Sequence, residues 1–285
     1  MERQVIRKPK VCLISHTYLE KRYRAKLSCL AQSVDLTVIA PDQFPFPYGT
    51  YRADFSEPRP YDVRVYPCRF PLGIRTSTRW VLASRDLGFR TIQPDIVHVE
   101  NELHSFSLLQ ALMCGRRYVR RAKVIVFVWS NMSLPGLKGV GLNMLARAAR
   151  RGIDHYIAGN SDAKRLLVTS GIPDDRVSAF PQVGVDVDYY TPPPADERSR
   201  LRTEMGFESD DFVVGFVGRF VEDKGLPDLI EAVRRMHEMR DVPRVRLIGV
   251  GDGPLKSSLL AGCPDAIVVS PGDGGRVLPY YHVMD

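Results

Sequence analysis

The sequence predicts an α/β fold of two successive domains, each built around a parallel β-sheet. Short apolar runs rich in β-branched residues alternate along the chain with stretches of helical spacing. This alternation is typical of βα units that feed a parallel sheet. A segment with three consecutive prolines, residues 191–200, interrupts the alternation, which begins again after it. The interruption therefore predicts a linker between two domains.

The first domain is predicted from a series of buried strands with helices between them. The strands are short apolar runs rich in β-branched residues, as buried strands of a parallel sheet are. They are predicted at residues 11–15, 36–40, 62–66, 96–99, 124–129, 156–158 and 177–179. Helical spacing is clearest at residues 22–32, 106–113 and 143–150. We therefore expect a complete, doubly wound domain at residues 1–190.

The second domain is predicted at residues 206–285, after a linker at residues 191–205. Its strands are expected at residues 212–217, 245–248 and 266–270, with helices at residues 226–239 and 254–261. Independent domains usually contain about 100–200 residues. The three strands of this segment occupy fewer, so we expect only the first part of a second parallel α/β domain.

The composition excludes several classes of protein. A hydrophobic content of 44% and a charged content of 26% are typical of a globular chain. The five cysteines contain no CxxC pair, which argues against a disulfide framework or a zinc site. The apolar run after the basic amino terminus is too short for a signal peptide, and the longest apolar stretch could not span a bilayer. We therefore expect a cytoplasmic protein.

The basic residues behind the formal net charge of +7 include three clusters, all before residue 152. They are Lys21, Arg22, Arg24 and Lys26; Arg116, Arg117, Arg120, Arg121 and Lys123; and Arg147, Arg150 and Arg151. No nucleic-acid-binding signature accompanies them, which disfavours a nucleic acid partner. Two interpretations stay open: solvated helix faces, or peripheral attachment to an anionic membrane surface.

The stretch GRFVEDKG, residues 218–225, combines two cations with flexible backbone. Gly218 and Arg219 follow a predicted strand, and Lys224 lies at the start of a predicted helix. Backbone amides, the helix dipole and both side chains favour an anion at such a place, which suits a diphosphate. From these residues alone, an ordinary surface loop explains the stretch equally well.

The longer stretch VVGFVGRFVEDKGLPDLIEAV, residues 213–233, resembles the motif that opens the C-terminal domain of family 4 retaining glycosyltransferases. Residues 158–192, 245–259 and 266–285 resemble further segments of this family in the same order. The resemblance spans nearly the whole chain and is weakest at residues 44–91.

The resemblance implies a GT-B fold, in which two Rossmann-like domains face each other across the active site. It implies transfer of a sugar from a nucleotide-sugar donor to a saccharide or lipid-linked acceptor, with retention of configuration and without a metal or other cofactor. Gly218, Arg219 and Lys224 would bind the donor diphosphate. The turn containing Gly251 and Gly253 would line the nucleotide pocket; its glycines also suit a tight strand-to-helix turn.

The acceptor side departs from the family pattern. Many members have a glycine-rich loop after the first strand, whereas this chain has His16 in a loop without glycine. Many members also carry a histidine after the strand at residues 124–128, where this chain has Trp129 and, two positions on, Asn131. We interpret His16 and Glu102 as candidate catalytic residues, and Trp129 and Asn131 as candidates for the acceptor side.

Members of the family continue beyond the position of Asp285 with a further strand and two glutamates that bind the donor. The chain is therefore expected to be truncated, and to have little or no activity by itself. An alternative function stays open, in which the chain is a non-catalytic binding or assembly subunit whose second domain a partner chain completes.

Overall fold

The computed structural model describes residues 7–46, 49–130, 136–181, 184–239, 243–270 and 277–285. The chain divides into two compact units. Unit 1 comprises Met1–Gly184 and unit 2 comprises Val185–Asp285. Each has a sheet of its own. The domain bounds 1–190 and 206–285 and the linker 191–205 stay a prediction.

In the described part of unit 1, seven parallel strands form one sheet. In chain order they are β1 (Lys10–Ile14), β2 (Asp35–Pro41), β5 (Asp62–Tyr66), β8 (Ile96–Glu100), β9 (Lys123–Val128), β10 (His155–Ala158) and β11 (Val177–Ala179). Their order across the sheet is β11-β10-β9-β8-β1-β2-β5. All seven were predicted from the sequence, and their bounds differ from the prediction by no more than one residue.

Two antiparallel hairpins in unit 1 were not predicted. The first pairs β3 (Gln43–Phe46) with β4 (Gly49–Arg52), and the second pairs β6 (Cys68–Arg69) with β7 (Val81–Leu82). Strands of two to four residues give too little periodicity to be recognised. The first hairpin packs through Phe44 and Phe46 against other aromatic rings, so tertiary contacts stabilise it.

Helices cover both faces of the unit 1 sheet. In chain order they are α1 (Ala25–Leu30), α2 (Phe89–Ile92), α3 (Phe106–Tyr118), α4 (Gly136–Arg150) and α5 (Ser161–Thr169). One core cluster joins Val97 and Val126 of the sheet to Leu108 of α3, and the other joins Leu13 to Leu27 of α1. The predicted doubly wound domain is confirmed.

Unit 2 repeats the arrangement with a smaller sheet. Its described strands are β12 (Phe212–Val217), β13 (Val245–Val250) and β14 (Ile267–Val269), which pair in parallel in the order β12-β13-β14. The accompanying helices are α6 (Ala195–Glu204), α7 (Leu226–Glu238), α8 (Lys256–Gly262) and α9 (Leu278–Val283). On one face, Leu226 of α7 and Leu259 of α8 pack against Val245 and Leu247. On the other face, Val283 of α9 packs against Ile248.

Helix α6 lies within the segment predicted as linker. The chain enters it from Pro194, whose φ of −55° is compatible with the start of a helix. Arg202 of α6 is buried and donates hydrogen bonds to the carbonyl oxygens of Asp211 and Val283. This guanidinium therefore fastens α6 to the rest of unit 2.

A buried arginine fixes the loop that follows β1. The Arg24 side chain, 6% exposed, donates to the carbonyl oxygens of Tyr18 and Leu19 at 2.8 and 3.2 Å. It also contacts the carbonyl of Asp54 at 2.7 Å and the carboxylate of Glu57. One guanidinium thus joins two loops, and its removal would leave several acceptors unsatisfied.

We expect Arg24→Met to lower the free energy of unfolding by roughly 2–4 kcal/mol, because the substitution leaves the buried carbonyl oxygens of Tyr18 and Leu19 without their donor. Arg165→Met is the matched control. The Arg165 and Asp162 side chains are 74% and 62% exposed where they pair on α5, so the loss of Arg165 should cost at most about 1 kcal/mol. Urea unfolding followed by circular dichroism measures both, and equal losses would contradict the assigned role of Arg24.

Candidate functional site

Unit 1 has a topological switch point between β1 and β8. The chain proceeds from β1 to β2 on one side, whereas β8 pairs with β1 on the other side. In open parallel sheets, ligands bind outside the carboxyl ends of the strands at such a point. His16 follows β1, Glu102 follows β8 and Trp129 follows β9. The structure therefore brings these three predicted residues to one edge of the sheet.

Glu102 connects two loops at this edge. Its Oε1 accepts hydrogen bonds from the backbone amides of Trp129 at 3.1 Å and Ser130 at 2.9 Å. Burial raises the pKa of the Glu102 carboxyl, while the two amides act in the opposite direction. A carboxyl with a raised pKa can hold or release a proton near neutral pH more readily than an exposed one.

His16 lies among aromatic rings. Its ring centroid is 4.3 Å from that of Phe44, 5.8 Å from that of Phe46 and 5.6 Å from that of Trp80. Burial lowers the pKa of His16 to about 4, although the carboxylate of Glu100 acts to raise it. The imidazole is therefore neutral at pH 7. Its Nδ1 is buried and has no hydrogen-bond partner among the described residues.

The sequence analysis missed the role of Glu100, which ends β8 with its side chain fully buried. Its Oε1 accepts hydrogen bonds from the hydroxyl of Tyr18 at 2.9 Å and the ammonium of Lys26 at 2.5 Å. Its Oε2 has no partner within the described ranges. An acidic residue at the end of one apolar strand, with basic residues after the first strand of the chain, is the signal that could have identified this pair.

His98 lies two residues before Glu100 on the same strand, so both side chains point to the same face of the sheet. Its Nε2 is buried and has no partner among the residues that the structure describes. Burial lowers the pKa of His98 to about 4, with the Lys26 ammonium adding to the effect and Glu100 opposing it.

Trp129 is the predicted acceptor-side residue whose side chain the structure describes. Its indole is 46% exposed and stands edge-on to the ring of Phe127, with 5.3 Å between the centroids. One edge thus packs on the sheet while the rest is accessible. Asn131, the other candidate, lies outside the described residues.

In unit 2, the predicted phosphate loop connects β12 to α7. Gly218 follows the strand, Glu222–Lys224 form a 3-10 turn, and Gly225 begins α7 with a φ of +70°. Arg219 makes a partly exposed ion pair with Asp223 at 3.4 Å, while Lys224 is exposed. Both cations thus lie on the loop that leads to the N-terminus of a 13-residue helix.

The turn containing Gly251 and Gly253 packs directly against this loop. A Cβ on Gly251 would lie 1.9 Å from the carbonyl oxygen of Gly218, and one on Gly253 would lie 2.5 Å from that of Phe220. Hydrogen bonds from Gly218 N to Val250 O and from Phe220 N to Asp252 O hold the segments together. These glycines are therefore needed for close approach of two backbones, whatever else they contact.

The two segments border an open depression of about 760 Å³, lined by Val221, Glu222, Asp223, Pro254 and Leu255. Glu222 and Asp223 place negative charge on the same loop as Arg219 and Lys224. An anion at this loop would therefore have to displace Asp223 from Arg219, which costs little because exposed ion pairs contribute at most about 1 kcal/mol.

Among the described residues, no three His, Cys, Asp or Glu side chains come together as a group that could bind a metal ion. Within the same residues, no helix combines the length and apolar character needed to cross a bilayer.

A sequence profile of the family described as "Glycosyl transferase 4-like domain" matches residues 19–183. The chain is 31% identical over 260 residues to a GDP-mannose-dependent alpha-mannosyltransferase of Mycobacterium tuberculosis, covering 87% of this chain and 62% of that protein. It is 33% identical over 125 residues to a D-inositol 3-phosphate glycosyltransferase of Mycobacteroides abscessus, covering 44% of this chain and 25% of that protein. The chain thus spans less than two thirds of the length of these relatives.

Among solved structures, the fold resembles that of Alr3699/HepE from Anabaena in complex with UDP. The TM-score is 0.64 at 16% sequence identity, and the match covers 97% of this chain and 72% of the other. A glycosyltransferase from Rickettsia africae gives a TM-score of 0.61 at 12% identity, covering 98% and 72% of the two chains. At these identities the likeness concerns the fold, and it confirms the expected GT-B class.

Gly251→Ala should destabilise unit 2 by about 2–4 kcal/mol, because the added methyl group collides with the backbone at Gly218 and the residue has a φ of +153°. Gly141→Ala in α4 is the control, since a Cβ there meets nothing within 4 Å. Thermal unfolding of both variants tests the prediction. A Gly251→Ala protein as stable as the parent would show that the loops are not in close contact.

Acid should destabilise the fold in the range in which His16 and His98 would be protonated. Each has a folded-state pKa of about 4, below the value near 6.5 expected in the unfolded chain. The unfolded chain therefore binds more protons below pH 6.5, and stability falls as the pH is lowered towards 4. The limit is about 1.4 kcal/mol per pH unit for each histidine.

Urea unfolding at several pH values between 7 and 4 measures this loss. The His16→Gln/His98→Gln variant should lose much less stability over that range. Asp54 has a pKa lowered by its hydrogen bonds to Lys21 and Ser56, so its contribution is lost only at lower pH. An unchanged pH dependence in the double variant would contradict the assignment.

Proposed function

Because the chain belongs to the glycosyl transferase 4-like family, we propose that it takes part in the transfer of a sugar from a nucleotide-sugar donor to a saccharide or lipid-linked acceptor, with retention of configuration. The observation that carries the proposal is the loop at Gly218–Gly225, where two cations lie beside the N-terminus of α7. Several relatives are named as glycosyltransferases, and a structure of similar fold contains UDP.

On this proposal, unit 2 binds the diphosphate of the donor. Arg219 and Lys224 would contact its oxygens, and the backbone at Gly218 would allow the phosphates to approach. Negative charge develops on the diphosphate as the glycosidic bond breaks. Preorganised cations and a helix N-terminus stabilise such charge without a metal ion. Gly251 and Gly253 would line the nucleotide pocket through their backbone.

Unit 1 would bind the acceptor at its topological switch point. Glu102, with its raised pKa, is suited to exchange a proton with an acceptor hydroxyl, and neutral His16 lies at the same edge of the sheet. The exposed indole of Trp129 would contact the acceptor. Asn131 is proposed for the same side from the sequence alone.

Peripheral contact with an anionic membrane from the cytoplasmic side is also proposed, because one group of arginines makes no ion pair among the described residues. Its members are exposed on or near α3 and α4: Arg116, Arg117, Arg120, Arg121, Arg147 and Arg151. By contrast, Lys21, Arg22 and Lys26 pair with carboxylates of the chain. Only unpaired charge is free to attract anionic lipid.

Arg219→Ala and Lys224→Ala should each weaken the binding of UDP or GDP by about tenfold or more, because each loses a charge-assisted hydrogen bond worth roughly 1.5–3 kcal/mol. Isothermal titration calorimetry in the presence of EDTA measures the affinities. EDTA also tests whether binding requires a divalent metal.

Arg234→Ala is the control for charge. Arg234 lies on the exposed face of α7, where it pairs with Glu231 and Glu238, so its removal changes the net charge equally without touching the loop. If all three variants lose the same affinity, the effect is general electrostatics and the assigned phosphate site is wrong. Transfer of label from radioactive nucleotide sugars tests the activity itself.

A further inference from the structure

We propose that Lys26, Glu100 and Trp129 form a subsite for an uncharged sugar ring of the acceptor. The inference rests on the proposed function and specifies the chemistry of the substrate that unit 1 would bind. It assigns Lys26 to direct recognition of a sugar hydroxyl and the buried Glu100 to holding the Lys26 ammonium in position.

The three side chains surround the buried ring of Phe127. Glu100 of β8 is in register with Phe127 of β9, so both point to the same face of the sheet. The Lys26 ammonium lies 5.9 Å from the centroid of the Phe127 ring, and the Trp129 indole contacts the same ring edge-on at 5.3 Å. An ammonium and an exposed indole therefore flank one small area at the carboxyl edge of the sheet.

The polar groups of this area have unused hydrogen-bonding capacity. Glu100 is fully buried, yet its Oε2 has no partner among the described residues. Lys26 donates to Oε1 of Glu100 and keeps 34% of its side chain exposed. An ammonium has three donors, so it can also bind a ligand oxygen. The buried carboxylate of Glu100 thus fixes the position of the ammonium, and the exposed part of Lys26 is what a ligand hydroxyl can reach.

An ammonium donor beside an exposed aromatic surface matches the chemistry of a sugar ring. A ring hydroxyl can accept a hydrogen bond from the ammonium, while the apolar face of the ring packs on the indole. Binding sites of this kind combine apolar walls with a few fixed polar groups that set the orientation.

The charges of the area favour an uncharged ligand. Among the described residues, Glu100 and Glu102 lie at this edge, and the Lys26 ammonium is paired with Glu100. His16 and His98 are uncharged at pH 7. These described groups carry no net positive charge that would attract a phosphate, and ionised Glu102 would repel one.

The test uses the chain as it exists and measures binding by saturation-transfer NMR. The probes are the methyl α-glycosides of mannose, glucose and galactose, with mannose 6-phosphate for comparison. We expect at least one methyl glycoside to bind, and mannose 6-phosphate to bind more weakly. Trp129→Ala and Lys26→Met should each weaken glycoside binding by about tenfold or more.

Lys21→Met is the matched control, since Lys21 pairs with Asp54 at the surface of the same segment. Lys26→Met leaves the buried Glu100 charge without its partner and threatens folding. The Lys26→Met/Glu100→Gln variant removes both charges; circular dichroism establishes that it is folded, and it too should bind the glycoside weakly. Lys26→Arg keeps the ion pair and should retain most of the affinity.

The proposal is overturned if no glycoside binds, if mannose 6-phosphate binds more tightly, or if the Trp129 and Lys26 variants bind like the parent. UDP binding to unit 2 is measured on the same samples, so that failure of the subsite can be distinguished from failure of the proposed function. If the parent chain binds UDP but no glycoside, the subsite alone is refuted. If it binds neither UDP nor a glycoside, the proposed function is refuted as well.

Discussion

The carboxylate of Glu100, buried at the end of β8, is the constraint around which the edge of unit 1 is arranged. A buried charge is tolerated only when it is paired and hydrogen-bonded. Tyr18 and Lys26 meet this requirement from the chain that follows β1. They lie on either side of Arg24, which holds the same segment through backbone carbonyls. Two buried ionic groups thus fix a loop that contains no glycine.

This fixed loop has consequences for the neighbouring side chains. It holds His16 among Phe44, Phe46 and Trp80, where burial keeps the imidazole neutral. Glu102 fastens the loop after β9 to the end of β8. The carboxyl edge of the sheet is therefore ordered by the polar groups that are candidates for its chemistry. A change in any of these groups affects both position and reactivity.

In unit 2, glycines rather than buried charges determine how the loops at the edge of the sheet pack. Gly251 and Gly253 let one turn approach the backbone of the loop that carries Arg219 and Lys224. Interstrand hydrogen bonds then fix where that loop begins. The cations remain on the outside, where Arg219 has only a weak surface partner in Asp223. The backbone of the loop is held by close packing, while the side chains of Arg219 and Lys224 stay accessible. This arrangement suits the binding of an anionic group.

The sequence by itself determined the strands of the large sheet, the parallel class of both sheets and the loop with two cations. These features follow from local patterns: runs of β-branched residues make buried strands, and glycine beside cations at a helix start marks a loop that suits an anion. The sequence also placed His16, Glu102 and Trp129 at strand ends, because the strands themselves were recognised.

Only the tertiary structure decided which basic residues are neutralised and which polar residues meet. Lys26 and Glu100 are 74 positions apart, and no periodicity connects them; their pairing depends on β1 lying beside β8 in the sheet. The hairpin at β3 and β4 likewise depends on aromatic contacts with distant residues. The local sequence sets the periodicity of each helix and strand. The partner of a buried charge, by contrast, is a residue distant in sequence that reaches it only in the folded chain.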